Sequence, residues 1–375
     1  MTILSSLRPF VQNKTLNGVN AARVHSFNIV NLYFLEGSPE YRRYADRILE
    51  CSPELTFVIN TDVNSPAYGR TTIKNARWCR VRHCPSCQRA RASKLKAKFL
   101  KVITPDNIDG LEFVFLTLTI KNVPDNQIRS SIKLINNAWS KFRKRKDFPA
   151  QGFIRSFEIT QQYDRLKSDK KGKKSSGLPT RSKDGYLMAH PHLHIVLCMK
   201  PGYYEGNFKD KDWWIDEWKS CLGVDYRPSV SVKKIDTEDN LVVSLLETLK
   251  YTTKPADFDA TNPCAGEWLY ALTRELHKVR AISVGGNFSK FVKQSEIDSI
   301  QDECKSDDEY EQSGSEFKGV WNDAKQKYEI VSGHIIIETY GGILMNPPSP
   351  FHKVVCVPGP FNLYNFPSYY DSVDL

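Results

Sequence analysis

The sequence predicts a sheet-centred fold of mixed strands and helices, preceded by a cysteine-bearing region that holds zinc. Three observations carry this. Leu111–Ile120 (LEFVFLTLTI) is a run of β-formers long enough to cross the middle of a sheet, and Phe153–Thr160 and Leu187–Met199 repeat that character. Between and after these runs apolar residues recur at helical spacing, as in Ile128, Ile132, Ile135, Trp139 and Phe142. Upstream, Cys51, Cys79, Cys84 and Cys87 lie in turn-rich sequence.

The chain has 375 residues, enough for two domains or one with appendages, and is 40% hydrophobic, enough for a real core. Its net charge of +10 points to a polyanionic partner, of which nucleic acid is the commonest. Met1–Val11 carries no apolar run of signal-peptide length, and no stretch of about 18 apolar residues occurs. Neither secretion nor a membrane span is therefore expected, and the expected compartment is the cytoplasm. In that setting a disulfide framework is not expected from the cysteines. Cys198, Cys221, Cys264, Cys304 and Cys356 are scattered and read as ordinary thiols.

In chain order, residues 1–50 form an N-terminal segment without a strong motif, with Ser26–Leu35 readable as a short strand or a helix edge. Residues 51–104 hold the cysteine cluster and a basic helix over Gln88–Ile103. Leu95, Phe99 and Val102 give that helix a buried side; Arg89, Arg91, Lys94 and Lys98 give it cations for a DNA backbone. Residues 105–290 form the main domain: the three strands, a helix over Asp125–Phe142, a Trp-rich helix at Trp213, Trp214 and Trp218, a short strand at Ser229–Lys233 and a helix over Asn240–Thr252. Arg165–Gly185, rich in Lys, Gly and Ser, reads as a flexible hairpin loop, either over a cationic surface or simply solvated. Residues 291–375 carry no assigned role. There Glu296–Glu316 is acidic and reads as a linker, His334–Leu344 as a strand pair, and the end from Pro347 is Pro-rich.

Three constellations carry chemistry. Cys79, Cys84 and Cys87 stand as C-x4-C-x2-C, and Cys51 or His83 can complete four ligands for a tetrahedral zinc; a redox pair is the alternative. His190, His192 and His194 alternate along a strand, so they share one face, and His192 with His194 makes half of a divalent-metal site. Glu158, on the preceding strand, is the candidate third ligand. Such a site leaves positions for water or phosphate oxygens. Finally, Glu247, Lys250, Tyr251 and Lys254 fall at i, i+3, i+4 and i+7, one face of a helix whose other side is Leu241, Leu245 and Leu249. A phenol with two cations and a carboxylate suits phosphoryl transfer, although an ordinary exposed face has the same pattern.

Taken in order, Phe115-Leu-Thr-Leu-Thr119, His190-Pro-His-Leu-His194 and Glu247-Thr-Leu-Lys-Tyr251 resemble the three motifs of the plasmid rolling-circle replication initiators of the HUH endonuclease superfamily, the type with one catalytic Tyr and a nearby Glu. The string Cys79–Cys87 resembles that family's upstream cysteine region. The resemblance covers about residues 50 to 290. It implies an α+β fold, an antiparallel sheet flanked by helices. It also implies His192 and His194 as ligands of a catalytic Mg²⁺ or Mn²⁺ with Glu158 in the acidic position and His190 beside them, Tyr251 as nucleophile, and Glu247 as the base that activates water at termination. Lys250 or Lys254 would stabilise developing charge, and Zn²⁺ would fill the cysteine cluster. The implied partners are plasmid origin DNA, single-stranded at the nick, and a host helicase and DNA polymerase. A transposase or relaxase would share this chemistry, and a non-catalytic zinc-containing regulator would use the cysteines and basic helix alone.

Overall fold

A computed structural model of the chain describes residues 14–60, 71–102, 105–164, 178–236, 238–249, 255–258, 262–304, 314–333, 337–339 and 342–344. They fall into two units. The first contains residues 1–30, 42–89 and 307–375, and the second residues 31–41 and 90–306.

The second unit is organised by a six-stranded antiparallel sheet with the order β7-β3-β6-β5-β8, to which β4 (Val123–Pro124) adds at the end of β6. The strands are β3 (Phe113–Thr119), β5 (Ala150–Gln161), β6 (Met188–Met199), β7 (Val230–Ile235) and β8 (Ile282–Gly286). The fold is thus α+β with an antiparallel sheet between helices, as the resemblance implies. β5 and β6 are 12 residues each, central, and buried on both faces, which is why their sequences read as continuous apolar runs. One face is covered by the helix Ile128–Phe142, whose Trp139 packs edge-on to Phe153 at 5.2 Å, and by Lys211–Leu222, which buries Trp214 and Trp218. Asp210 caps the latter by accepting from the Trp213 amide. The other face is covered by Glu238–Thr248: Leu241, Leu245 and Leu249 pack with Phe113, Ile154, Val196 and Cys198. Each such fully buried side chain contributes roughly 1.5–3 kcal/mol.

Gly286 turns the β8 corner. Its φ is +61°, and a Cβ there would drive into the Gln151 carbonyl, so the close approach of β8 to β5 requires glycine.

The first unit contains a four-stranded antiparallel sheet of order β10-β9-β1-β2, built from Glu54–Asn60 (β1), Thr71–Ala76 (β2), Gly314–Asn322 (β9) and Lys327–Gly333 (β10). Leu55, Phe57, Phe317 and Tyr328 form its core with Leu16 and Val19.

Several sequence expectations change. Ser26–Leu35 is neither strand nor helix edge but the second half of a helix, Lys14–Glu36; Leu16, Val19, Arg23, Ser26, Val30 and Tyr33 recur every three or four residues and are all buried. The acidic stretch from Glu296 is not wholly a linker. Gln294–Glu303 is a helix that buries Ile297 and Ile300, with Glu296 and Asp298 half-buried and Asp302 exposed, and residues 305–313 lie outside the described residues. Gln294–Glu303 groups with the unit of the six-stranded sheet, and β1 pairs with β9 along the whole of β1. His334–Leu344 does contain a strand pair, Ile337–Thr339 with Gly342–Leu344. Of the Lys-rich insertion, 165–177 lie outside the described residues, while Tyr163 bridges Pro179 and Arg181 bridges Leu187.

Candidate active site

Register places the metal residues. β5 pairs with β6 so that Glu158 stands opposite His192 and Ser156 opposite His194; on the other side β3 sets Thr117 opposite His194 and Thr119 opposite His192. Alternation then points Glu158, His192 and His194 to one face, the same face that carries Ile154, Val196 and Cys198 beneath Glu238–Thr248. The Nε2 atoms of His192 and His194 lie 3.3 and 2.9 Å from one Glu158 oxygen. All three ligand atoms are within 4.8 Å of one another.

The far ring nitrogens are tied down. His192 Nδ1 donates to the His190 carbonyl at 3.1 Å, which makes Nε2 the ligating atom once its proton leaves. His194 Nδ1 meets the Thr117 hydroxyl at 3.3 Å, and its ring stacks on Phe115 with centroids 5.6 Å apart. Burial opposes charge on Glu158, yet the hydrogen bonds and charge of His192 and His194 outweigh it and hold the carboxyl well below the usual carboxylate range. Two imidazoles and one ionised carboxylate, converging from neighbouring strands, fit a divalent ion with coordination positions to spare. His190 is on the same face but outside this trio; its Nδ1 donates to Asn122 Oδ1 at 2.6 Å.

Thr117 and Asn122 are supporting residues that the sequence reading did not single out. Thr117 sits inside the string Phe115–Thr119, and only the β3–β6 register shows that it faces His194.

The cysteines converge as well. Cys51 follows the helix Pro39–Leu49, Cys79 follows β2, and Cys84 and Cys87 flank the start of the helix Pro85–Val102, with the Gln88 amide donating to the Cys84 carbonyl. Sulfur separations of 3.5, 3.6 and 3.7 Å join all four into one set. These are too long for disulfides, at about 2.0 Å. They approach the edge of roughly 3.8 Å that a tetrahedron with 2.3 Å metal–sulfur bonds requires. The fourth member is Cys51 rather than His83.

The basic helix is less available than its sequence suggests. Arg91 is buried, Lys94 donates to the Cys304 carbonyl at 2.5 Å, and Lys98 pairs with Glu296 at 3.4 Å. The Arg89 guanidinium occupies the space beside Gly18. Arg91, Lys94 and Lys98 are thus engaged within the protein.

Glu247 lies in the last turn of Glu238–Thr248, half-buried, between the buried Leu246 and Thr248. Lys250, Tyr251 and Lys254 lie outside the described residues. No helix among the described residues is long and apolar enough to cross a membrane.

The family described as Replication protein matches residues 70–329. Among curated proteins, "Protein rep" of Streptococcus pneumoniae serotype 2 is 26% identical over 76% of this chain and 83% of its own length. "Protein rep" of Lentilactobacillus hilgardii is 27% identical over 68% of this chain and 76% of its own length. "Protein rep" of Bacillus amyloliquefaciens is 28% identical, but over only 53% of this chain and 52% of its own length. No solved structure matches. The family match takes in most of the chain, including Glu158, His192 and His194, and the chain belongs to this replication-protein family as a plasmid rolling-circle replication initiator.

Proposed function

We propose that this initiator nicks one strand of its plasmid origin with Tyr251, in a reaction that depends on a divalent ion at Glu158, His192 and His194. The supporting observation is the convergence of those three ligand atoms on the sheet face covered by Glu238–Thr248, the helix whose continuation in sequence is Lys250 and Tyr251. When bound, Mg²⁺ or Mn²⁺ polarises a non-bridging phosphate oxygen.

The chain's own groups do the rest. The Tyr251 hydroxyl, losing its proton, forms the bond to phosphorus. The P–O3′ bond breaks and its electron pair leaves with O3′, which takes up a proton. The products are a 5′-phosphotyrosine and a free 3′-OH that primes a host polymerase while a host helicase opens the duplex. Lys250 and Lys254 stabilise charge on the phosphoryl oxygens. Glu247 takes a proton from water at termination, so one tyrosine serves a whole round. Zn²⁺ in the four-cysteine cluster is structural, and the protein works in the cytoplasm on origin DNA made single-stranded at the nick.

The test is conversion of supercoiled plasmid carrying this gene to open circles. With Mg²⁺ or Mn²⁺ the wild type is expected to nick; with chelator, or as Glu158→Gln, it is expected to lose at least 100-fold in rate, the scale of losing an electrostatic catalytic contact. Equal nicking by Glu158→Gln in the presence of metal would remove this site from the reaction.

A further inference from the structure

The four-cysteine unit carries an exposed notch beside Cys79, lined otherwise by residues outside the cysteine set. It is a cavity of about 290 Å³ lined by Arg47, Glu50, Arg77, Trp78, Cys79 and Arg80. Its three arginines are exposed, and its only carboxylate is Glu50, so its walls carry a net charge of +2. Arg47 donates to the Cys79 carbonyl at 2.5 Å, and Arg77 pairs with Glu50 at 2.5 Å, which holds both guanidinium groups at the rim. Arg80 has a φ of +62°, a left-handed turn between Cys79 and Val81. Trp78 is half-buried and offers an indole to the same cavity. Cations around an aromatic ring are the composition of a nucleic-acid contact, where the cations take phosphate and the ring takes a base or sugar. The helix Pro85–Val102 offers fewer free cations than its sequence holds, since Arg91 is buried, Lys94 donates to the Cys304 carbonyl and Lys98 pairs with Glu296.

We propose that this notch is a DNA-backbone contact of the initiator, taking one phosphodiester among Arg47, Arg77 and Arg80 with the adjoining nucleotide against Trp78. Glu50 opposes the phosphate and competes for Arg77, so it tunes the affinity downward. The proposal deepens the origin-binding reading and rests on it, but not on the nicking chemistry.

Anisotropy of a fluorescein-labelled duplex, without divalent ions and over a range of salt, tests it in full-length protein. Arg47→Gln and Arg80→Gln are each expected to weaken binding several-fold at every sequence, and the double variant to lower the slope of log K against log salt by up to about 0.9, the share of one phosphate. Glu50→Gln is expected to tighten binding. Lys211→Gln, an equal change of charge on the other unit, is expected to leave the slope unchanged. Zinc content per chain and the thermal midpoint check that each variant is folded, and Glu50→Gln carries the test if an arginine variant is not. Slopes that stay at the wild-type value, that fall equally in Lys211→Gln, or a Glu50→Gln without effect would overturn the proposal. A wild type that binds no DNA would overturn the origin-binding reading together with it.

Discussion

At the residue scale the site depends on which ring nitrogen faces inward. The His190 carbonyl and the Thr117 hydroxyl hold the Nδ1 atoms of His192 and His194, leaving both Nε2 atoms on Glu158. Calorimetric titration with Mn²⁺ is expected to show one ion bound at this trio in the wild type and weaker binding in Glu158→Gln; equal affinity in the two would contradict this. Glu158 itself has a depressed carboxyl, so its stabilising contribution is present above the ordinary carboxylate value and is lost only as acid passes through the lower folded value. Thr117→Val is expected to keep the fold but weaken Mn²⁺ binding, by the 10- to 100-fold typical of losing a supporting hydrogen bond. Most of this trio was legible in the sequence, since alternation alone puts His192 and His194 on one face. Thr117 and Asn122 were not, because their roles come from strand register and a loop, which local pattern does not encode.

At the element scale, the helix Glu238–Thr248 covers the sheet face that carries the metal-ligand trio, and in sequence it precedes Tyr251, the proposed nucleophile. Leu245 is 2% exposed in the core that also holds Ile154 and Val196. Leu245→Ala is expected to cost about 2–5 kcal/mol in urea unfolding. Under the proposed mechanism it should also slow nicking more than it weakens DNA binding, since the displaced helix leads to Tyr251. Gly286→Ala, forced into a positive φ and against the Gln151 carbonyl, is expected to cost at least about 1–3 kcal/mol by the same measurement. The Lys98–Glu296 pair has partly exposed partners, so Glu296→Gln should cost no more than about 1 kcal/mol. The strands and helices of the six-stranded sheet were readable because long apolar runs and 3.6-residue stripes are local signals. The helix Gln294–Glu303 was not, because its acids outweigh the two buried isoleucines in composition.

At the scale of the whole molecule, the β9–β1 pairing brings residues more than 200 apart in sequence into one unit, which only tertiary structure reveals, whereas the cysteine set joins residues at most 36 apart and was legible in the sequence. If zinc fills the set, a strong chelator is expected to remove one thermal transition, that of the first unit, while the six-stranded sheet still melts cooperatively. The central claim is that Tyr251 becomes covalently joined to a 5′ phosphate. The direct measurement is mass spectrometry of peptides from protein incubated with its own supercoiled plasmid and Mn²⁺, then treated with nuclease. The expected result is a nucleotide adduct on the peptide containing Tyr251, absent in Tyr251→Phe and in chelator; an adduct on another tyrosine, or one that persists in Tyr251→Phe, would contradict it.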